Sequence, residues 1–155
     1  MSLWEPLLFC KMGICMYLLK TEACFDSAHF LSGYEGKCAN IHGHRWKIVA
    51  EVSSDTLHAS GQLRGMIVDF SQLKKDVRAI ADSFDHGLIY ERGTLKPETV
   101  TALRSENFKL IKVDFRPTAE NPASHFYDLL GSLGYVVHSV AVYETPENCA
   151  VYTQD

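Results

Sequence analysis

Nothing in this sequence is apolar for long enough to cross a bilayer. The richest stretch, Leu3 to Leu19, is broken by Glu5, Pro6, Lys11 and Gly13. A spanning helix needs roughly 20 apolar residues without such breaks. The flanks lack a basic run and a small-residue cleavage site, so no signal peptide is expected. Basic residues are not in excess either. Lys and Arg number 15 against 19 Asp and Glu, a mildly negative balance that argues against a nucleic-acid partner. Paired cysteine motifs are also missing. Cys10, Cys15, Cys24, Cys38 and Cys149 are odd in number and share no metal-site spacing, so a reducing, cytoplasmic setting fits better than a disulfide framework. No repeat, linker or low-complexity tract divides the 155 residues. The length suits one domain, 1–155, with 1–15 as an N-terminal extension that is assigned no function.

What is present is a histidine pair at the head of a strand. In Cys38-Ala39-Asn40-Ile41-His42-Gly43-His44 the two imidazoles open an alternation continued by Trp46, Ile48, Ala50 and Val52 on one face. A period of two makes this a strand with one buried side, with His42 and His44 on that side at its start. Same-face neighbours have Cα atoms roughly 6.5–7 Å apart, at about 3.3 Å of rise per residue. Two imidazoles at that spacing can converge on one ion. A third nitrogen, from His29 just upstream, would leave one tetrahedral position open, as catalytic zinc requires. His-x-His alone is a weak signal, since a single His on an apolar face is usually a core residue. The company of His29 and of a cysteine four residues before the pair strengthens it.

The remaining elements follow in order. Met16 to Phe25 alternates and runs as a first strand into Ser27 and His29; Ser32 to Lys37 is a loop. Asp55 to Gly65 is a connection, with a hairpin expected at Met66-Ile67-Val68. Asp69 caps a helix whose apolar stripe is Phe70, Leu73, Val77, Ile80, Ala81 and Phe84, with Gln72 placed to reach back as in a capping box. Gly87 should close it. Pro97 can start a short helix through Leu103. Lys109 to Phe115 is a third strand. Asn121-Pro122 begins another helix, its inner face Phe126, Leu129, Leu130 and Leu133. Tyr135 to Glu144 and Cys149 to Thr153 form a closing hairpin, and Cys24 and Cys149 are expected in the core. The sum is α+β: an antiparallel sheet with two helices packed on one face. The uncovered face and the edges then call for a second protomer.

Several short motifs, in order, carry a resemblance. Phe25-Asp26-Ser27-Ala28-His29, Cys38-x3-His42-Gly43-His44, Met66-Ile67-Val68-Asp69-Phe70, Asp85-His86, Pro117-Thr118-Ala119-Glu120-Asn121 and Glu144-Thr145 resemble the family of 6-pyruvoyl- and 6-carboxytetrahydropterin synthases. The resemblance implies the tunnel fold (T-fold), an oligomeric barrel of three chains that can pair into a hexamer, with sites between subunits. It implies that His29, His42 and His44 bind Zn2+ and that the substrate is the small molecule 7,8-dihydroneopterin triphosphate. Cys38 would be the base, and Asp85 would orient His86 as a proton carrier. Glu144 would anchor the pterin and join the proton relay, while Thr118 and Glu120 would line the same pocket.

Three residues between Cys38 and His42 resemble the bacterial 6-carboxytetrahydropterin synthases of the queuosine pathway, whereas the animal-type 6-pyruvoyl synthases have a longer gap. Ala39, in place of a Glu, argues against the aldolase-like branch. The implied activity is a lyase that releases triphosphate and acetaldehyde. A 6-pyruvoyl synthase and a non-catalytic pterin- or metal-binding oligomer are the alternatives. The chain departs from the family pattern at Ser27, at Gly87-Leu88-Ile89-Tyr90 after Asp85-His86, and in a longer segment from Glu91 to Phe108. The last of these bears on the pocket mouth.

Overall fold

The computed structural model describes residues 16–154; the expectations for the extension, with Cys10 and Cys15, lie outside that range. The chain first lays down two long strands, β1 (Tyr17–His29) and β2 (His42–Ser54), joined through a 3-10 turn at Lys37–Ala39. Helix α1 (Phe70–Phe84), strand β3 (Leu88–Glu91), helix α2 (Pro97–Ser105), strand β4 (Leu110–Val113), helix α3 (Glu120–Ser132) and the hairpin of β5 (Val137–Thr145) and β6 (Asn148–Tyr152) follow. The sheet runs β4-β3-β1-β2-β5-β6.

The sheet is mixed, not antiparallel as expected. β1, β2, β5 and β6 pair antiparallel, but β3 runs parallel to both β1 and β4. β3 escaped the sequence reading because it is four residues long and shows no alternation. Its central Ile89 and Tyr90 are both buried, as happens on an interior strand of a parallel stretch, where both faces are covered. The helix expected from Pro97 exists as α2, but none of its residues is buried. Two helices, α1 and α3, therefore do pack on the sheet.

They pack on the face set by the period of two. Ala23 and Phe25 of β1 and Trp46, Ile48, Ala50 and Val52 of β2 point toward Leu73, Val77 and Ala81 of α1 and Phe126 and Leu130 of α3. Phe25 and Trp46 stack with centroids 6.0 Å apart, and Phe84 and Phe126 close around Phe25. Burying each such side chain stabilises the fold by about 1.5–3 kcal/mol.

Several local expectations are corrected. Residues 55–69 form turns rather than a hairpin strand; His58 N–H reaches Met66 O (3.1 Å) and Gly65 N–H reaches His58 O (2.9 Å), with tight turns between. Asp69 does cap α1, accepting from Ser71 N–H at 2.6 Å, but Gln72 donates to Asp76, four residues on, instead of reaching back. Phe70 is exposed because it lines a groove with Tyr17, Leu18 and Met66 beside the core, and Leu133 is exposed at the C-terminal end of α3. Cys24 alternates with the core residues Ala23 and Phe25 and so lies on the other face, half-buried; Cys149 is exposed.

The end of α1 also differs. Asp85 is its C-terminal cap and His86, not Gly87, takes the left-handed conformation, with φ of 51°. Gly87 is needed for a different reason. A Cβ there would lie 2.5 Å from Cδ1 and 2.9 Å from Cγ1 of Ile111, and 3.2 Å from the Lys109 carbonyl. That carbonyl accepts from Leu88 N–H at 3.0 Å, tying β3 to β4.

Two outcomes follow. Gly87→Ala should destabilise the protein by about 1–3 kcal/mol through overpacking, and Ile111→Val in the same chain should restore part of the loss. Urea unfolding measures both, and an unshifted midpoint for Gly87→Ala would contradict the packing. The second concerns His125, half-buried among Phe84, Phe115 and Phe126. Burial pushes its pKa below the ordinary imidazole value, with Asp128 opposing in part. The unfolded chain then takes up a proton that the native one refuses, so stability falls as pH drops below about 6.5. His125→Leu should flatten part of that fall in melting temperature between pH 7 and 5; an identical slope would contradict it.

Candidate metal centre

Register places the first two imidazoles. In the β1–β2 ladder His29 stands directly opposite His42, and Ser27 opposite His44. All three histidines share the face that carries Phe25 and Trp46, beyond the end of the packed core. The Trp46 indole lies edge-on to His29 at 4.9 Å and to His44 at 5.5 Å, and its N–H is tied to the Ser27 carbonyl at 3.2 Å. Gly43, between the pair, is not sterically demanded: a Cβ there would sit in ordinary contact, 3.6 Å from Ser27 O.

Hydrogen-bond accounting then fixes the tautomers. His29 Nδ1 lies 2.7 Å from the Pro117 carbonyl, and His42 Nδ1 lies 2.7 Å from the Asn40 carbonyl. A carbonyl only accepts, so both Nδ1 atoms carry the hydrogen, and each neutral ring turns a bare lone pair outward at Nε2. Those two Nε2 atoms are 3.1 Å apart. His44 Nε2 is buried without a partner, and the Glu144 carboxylate oxygen Oε1 lies 3.1 Å from His29 Nε2 and 3.5 Å from His44 Nε2.

Four electron-pair donors thus come within 4.8 Å of one another, and no proton on the neutral rings lies between the two closest. Burial holds both His29 and His44 below the ordinary imidazole pKa. Protonation is disfavoured for that reason, and neutral imidazole is the metal-binding form. A cation satisfies all of these groups together. The donor set of imidazole nitrogens and one carboxylate suits a borderline ion such as Zn2+.

Glu144 is the member of this group that sequence reasoning placed elsewhere, as a ring anchor. Glu144 is the last residue of the strand read from Tyr135, and β5 runs one residue further, to Thr145. On β5 it continues the alternation of the buried Val140 and Val142, which pair with Ala50 and Ile48 of β2, so it emerges on the face of the histidines.

The other expected site residues fall into two cavities, one bordered by His44 and the other by Glu144. Cys38, half-buried on the 3-10 turn, lines one of about 280 Å3 with Thr118, Glu120 and Glu144. Sequence reasoning missed its other walls, among them Asn148 and Cys149. Glu120 is held below the ordinary carboxylate pKa by its own backbone N–H and the Thr118 hydroxyl. His86 lines the second cavity, of about 680 Å3, with His44, Arg45, Lys109 and the apolar Leu103 and Phe108. Asp85 stands behind it: one carboxylate oxygen accepts from Asp26 N–H at 2.8 Å, and the other lies 2.7 Å from His86 Nδ1. Those contacts hold its pKa down, the Asp26 bond most. Within one chain, then, Cys38 and His86 line separate cavities.

Comparison with known proteins agrees with this picture. The family described as 6-pyruvoyl tetrahydropterin synthase matches residues 18–155. Among curated relatives, the 6-carboxy-5,6,7,8-tetrahydropterin synthase of Haemophilus influenzae is 37% identical over 142 residues, covering 90% of this chain and 100% of that protein. The Synechocystis enzyme of the same name is 32% identical over 139 residues, covering 88% and 93%. Among solved structures, an uncharacterized protein of Wolinella succinogenes superposes with a TM-score of 0.74 at 24% identity, over 91% of this chain and 99% of that one. The 6-pyruvoyl tetrahydropterin synthase of Plasmodium vivax does so with 0.67 at 18%, over the same shares. These two likenesses concern the fold, which is that of the tunnel-fold synthases. On the extent of the sequence match, this chain belongs to the 6-pyruvoyl tetrahydropterin synthase family.

Proposed function

We infer that this chain is a zinc-dependent lyase that converts 7,8-dihydroneopterin triphosphate to 6-carboxy-5,6,7,8-tetrahydropterin, releasing triphosphate and acetaldehyde. The observation that carries the reading is the convergence of His29, His42, His44 and Glu144 on one point beside a cavity that holds a free thiol. Curated relatives at more than 30% identity bear the name of that synthase. The three residues between Cys38 and His42 favour the same product.

Zn2+ bound by the three imidazoles would act as a Lewis acid toward the hydroxyls of the substrate side chain. Cys38, which lines the cavity bordered by Glu144, would take the carbon-bound proton beside them. His86 lines its cavity while Asp85 holds the Nδ1 side, which leaves the other ring nitrogen to receive and return a proton. Glu144 and Glu120 offer carboxylates to the amino and ring N–H groups of a pterin, which a carboxylate can accept in bidentate fashion, and Thr118 adds a hydroxyl.

The separation of Cys38 from His86 within one chain supports sites completed between protomers. The edges of β4 and β6, without a partner strand among the described residues, support a ring of sheets, a trimer or dimer of trimers. Among the described residues Cys24, Cys38 and Cys149 are free, which fits a reducing cytoplasm. No described helix is long and apolar enough to cross a membrane.

The reading is tested by product analysis. Incubated with 7,8-dihydroneopterin triphosphate, the protein should release triphosphate and acetaldehyde in equal amounts. Triphosphate alone, with a 6-pyruvoyl product, would make it the pyruvoyl-type enzyme, and a pterin bound without turnover would make it a binding protein. Cys38→Ala should retain the metal and lose about 10²–10⁴-fold in turnover, the usual contribution of a general base; full activity would remove Cys38 from that role. Stripping the metal with a chelator should abolish turnover, and Zn2+ should restore it. Unchanged activity in metal-free protein would refute the zinc requirement.

A further inference from the structure

We propose that Arg116 is a positioning residue for Cys38, clamping the loop that carries the thiol onto the segment that pins the histidines. Its effect on catalysis rests on the role proposed above for Cys38; the clamp itself does not.

The loop needs a clamp because burial supplies little hold. Between β1 and β2 the chain leaves the sheet, and Ser32 to Lys37 are all exposed before Cys38 is half-buried on the 3-10 turn. Its backbone bonds are largely internal. Leu31 N–H donates to the Cys38 carbonyl (2.8 Å), Tyr34 N–H to that of Leu31 (3.2 Å) and Ala39 N–H to that of Gly36 (3.1 Å). These bonds give the loop its shape, but exposed segments with few buried contacts are the first to open locally. Among the described residues, one hydrogen bond reaches residues 31–40 from beyond the flanking strands. Arg116 Nη2 donates to the Ser32 carbonyl at 3.0 Å.

The same guanidinium is held at both ends. Its carbon lies 5.9 Å from the centroid of the Tyr34 ring, within cation–π range, and its Nε is buried. Tyr34 in turn lies against the chain at Gly36, where a Cβ would come within 2.8 Å of the ring carbon Cε1. On the other side the Arg116 backbone is anchored, its carbonyl accepting from Thr118 N–H and from Asn121 Nδ2, both at 2.8 Å. Pro117, the next residue, gives its carbonyl to His29 Nδ1, and Thr118 lines the Cys38 cavity. Arg116 thereby joins the loop of the thiol to the backbone that orients the metal group and walls the cavity. Reacting groups on separate elements depend on such ties, since a misplacement of about 1 Å can cost about 10²-fold in rate.

The test reads the thiol separately from turnover. Zinc-loaded wild type, Arg116→Ala and Arg116→Lys are treated with limiting iodoacetamide, and peptide mass spectrometry follows alkylation of Cys38, with the exposed Cys149 as internal control. Amide hydrogen exchange across 32–37 and zinc content are read on the same proteins. Arg116→Ala should speed both the alkylation of Cys38 and the exchange, and leave Cys149 and the zinc content as in wild type. Its kcat should fall by about 10–10²-fold with KM little changed. Arg116→Lys keeps a donor for the Ser32 carbonyl but not the planar fork, and should recover part of each loss. Tyr34→Leu, at an exposed site, should move the same readings the same way by less, and serves if Arg116→Ala does not fold. Unchanged alkylation and exchange would overturn the clamp. A loosened loop with full kcat would overturn the positioning role, and so would a raised KM at unchanged kcat, which makes Arg116 a substrate contact. Loss of zinc alongside these changes would trace the effect to His29 through Pro117 and overturn the assignment to the loop. A wild type that fails to turn over 7,8-dihydroneopterin triphosphate would sink the proposed function, while alkylation and exchange would still decide the clamp.

Discussion

Two imidazole lone pairs pointed at each other across 3.1 Å repel unless something positive lies between them, and much of the structure serves to hold them there. Each ring is pinned from behind by a backbone carbonyl. Asn40 supplies one from the loop before β2, and Pro117 supplies the other from the approach to α3. Such partners fix the tautomer and make the facing nitrogen a better donor. The register of β1 on β2 sets His29 against His42, and a slip of one residue would turn one of the two strands' histidines to the opposite face. Trp46, 1% exposed, is the floor on which His29 and His44 rest.

The fold divides its labour along the sheet. The half covered by α1 and α3 is packed hydrocarbon and aromatic rings, and it makes the hairpin stiff where the histidines emerge. Beyond it, the groups proposed for proton transfer stand on turns and element ends: Cys38 on a 3-10 turn, Asp85 and His86 at the end of α1, Glu144 near the end of β5. His86 adopts a positive φ without being glycine, a conformation that costs free energy and recurs where a side chain must be aimed. It is held there by its N–H bond to the Asp26 carbonyl (2.7 Å) and by the Asp85 carboxylate. His44 lines one cavity and Glu144 the other.

The parts legible in the sequence were those governed by periodicity and short-range spacing. β1, β2, the core stripe of α1, the β5–β6 hairpin and the three histidines all follow from alternation or helical recurrence. What escaped was set by tertiary context. β3 hides because an interior parallel strand buries successive residues, so Ile89 and Tyr90 break the alternation. Gln72 finds Asp76 before it can complete a capping box. Gly87 reads as a helix terminator, yet its role is to let Ile111 approach. Glu144 reads as a ring anchor from the resemblance, and its place beside the histidines emerges only when β5 pairs with β2 and carries it on the face of Val140 and Val142.

The account stands on a cation at the meeting point of His29, His42 and His44. Crystals of the protein, purified without chelator, should show one anomalous difference peak per chain above the zinc absorption edge, within bonding distance of all three Nε2 atoms, and none just below the edge. Density with no peak there, and rings turned so that protons fill the space between them, would contradict it.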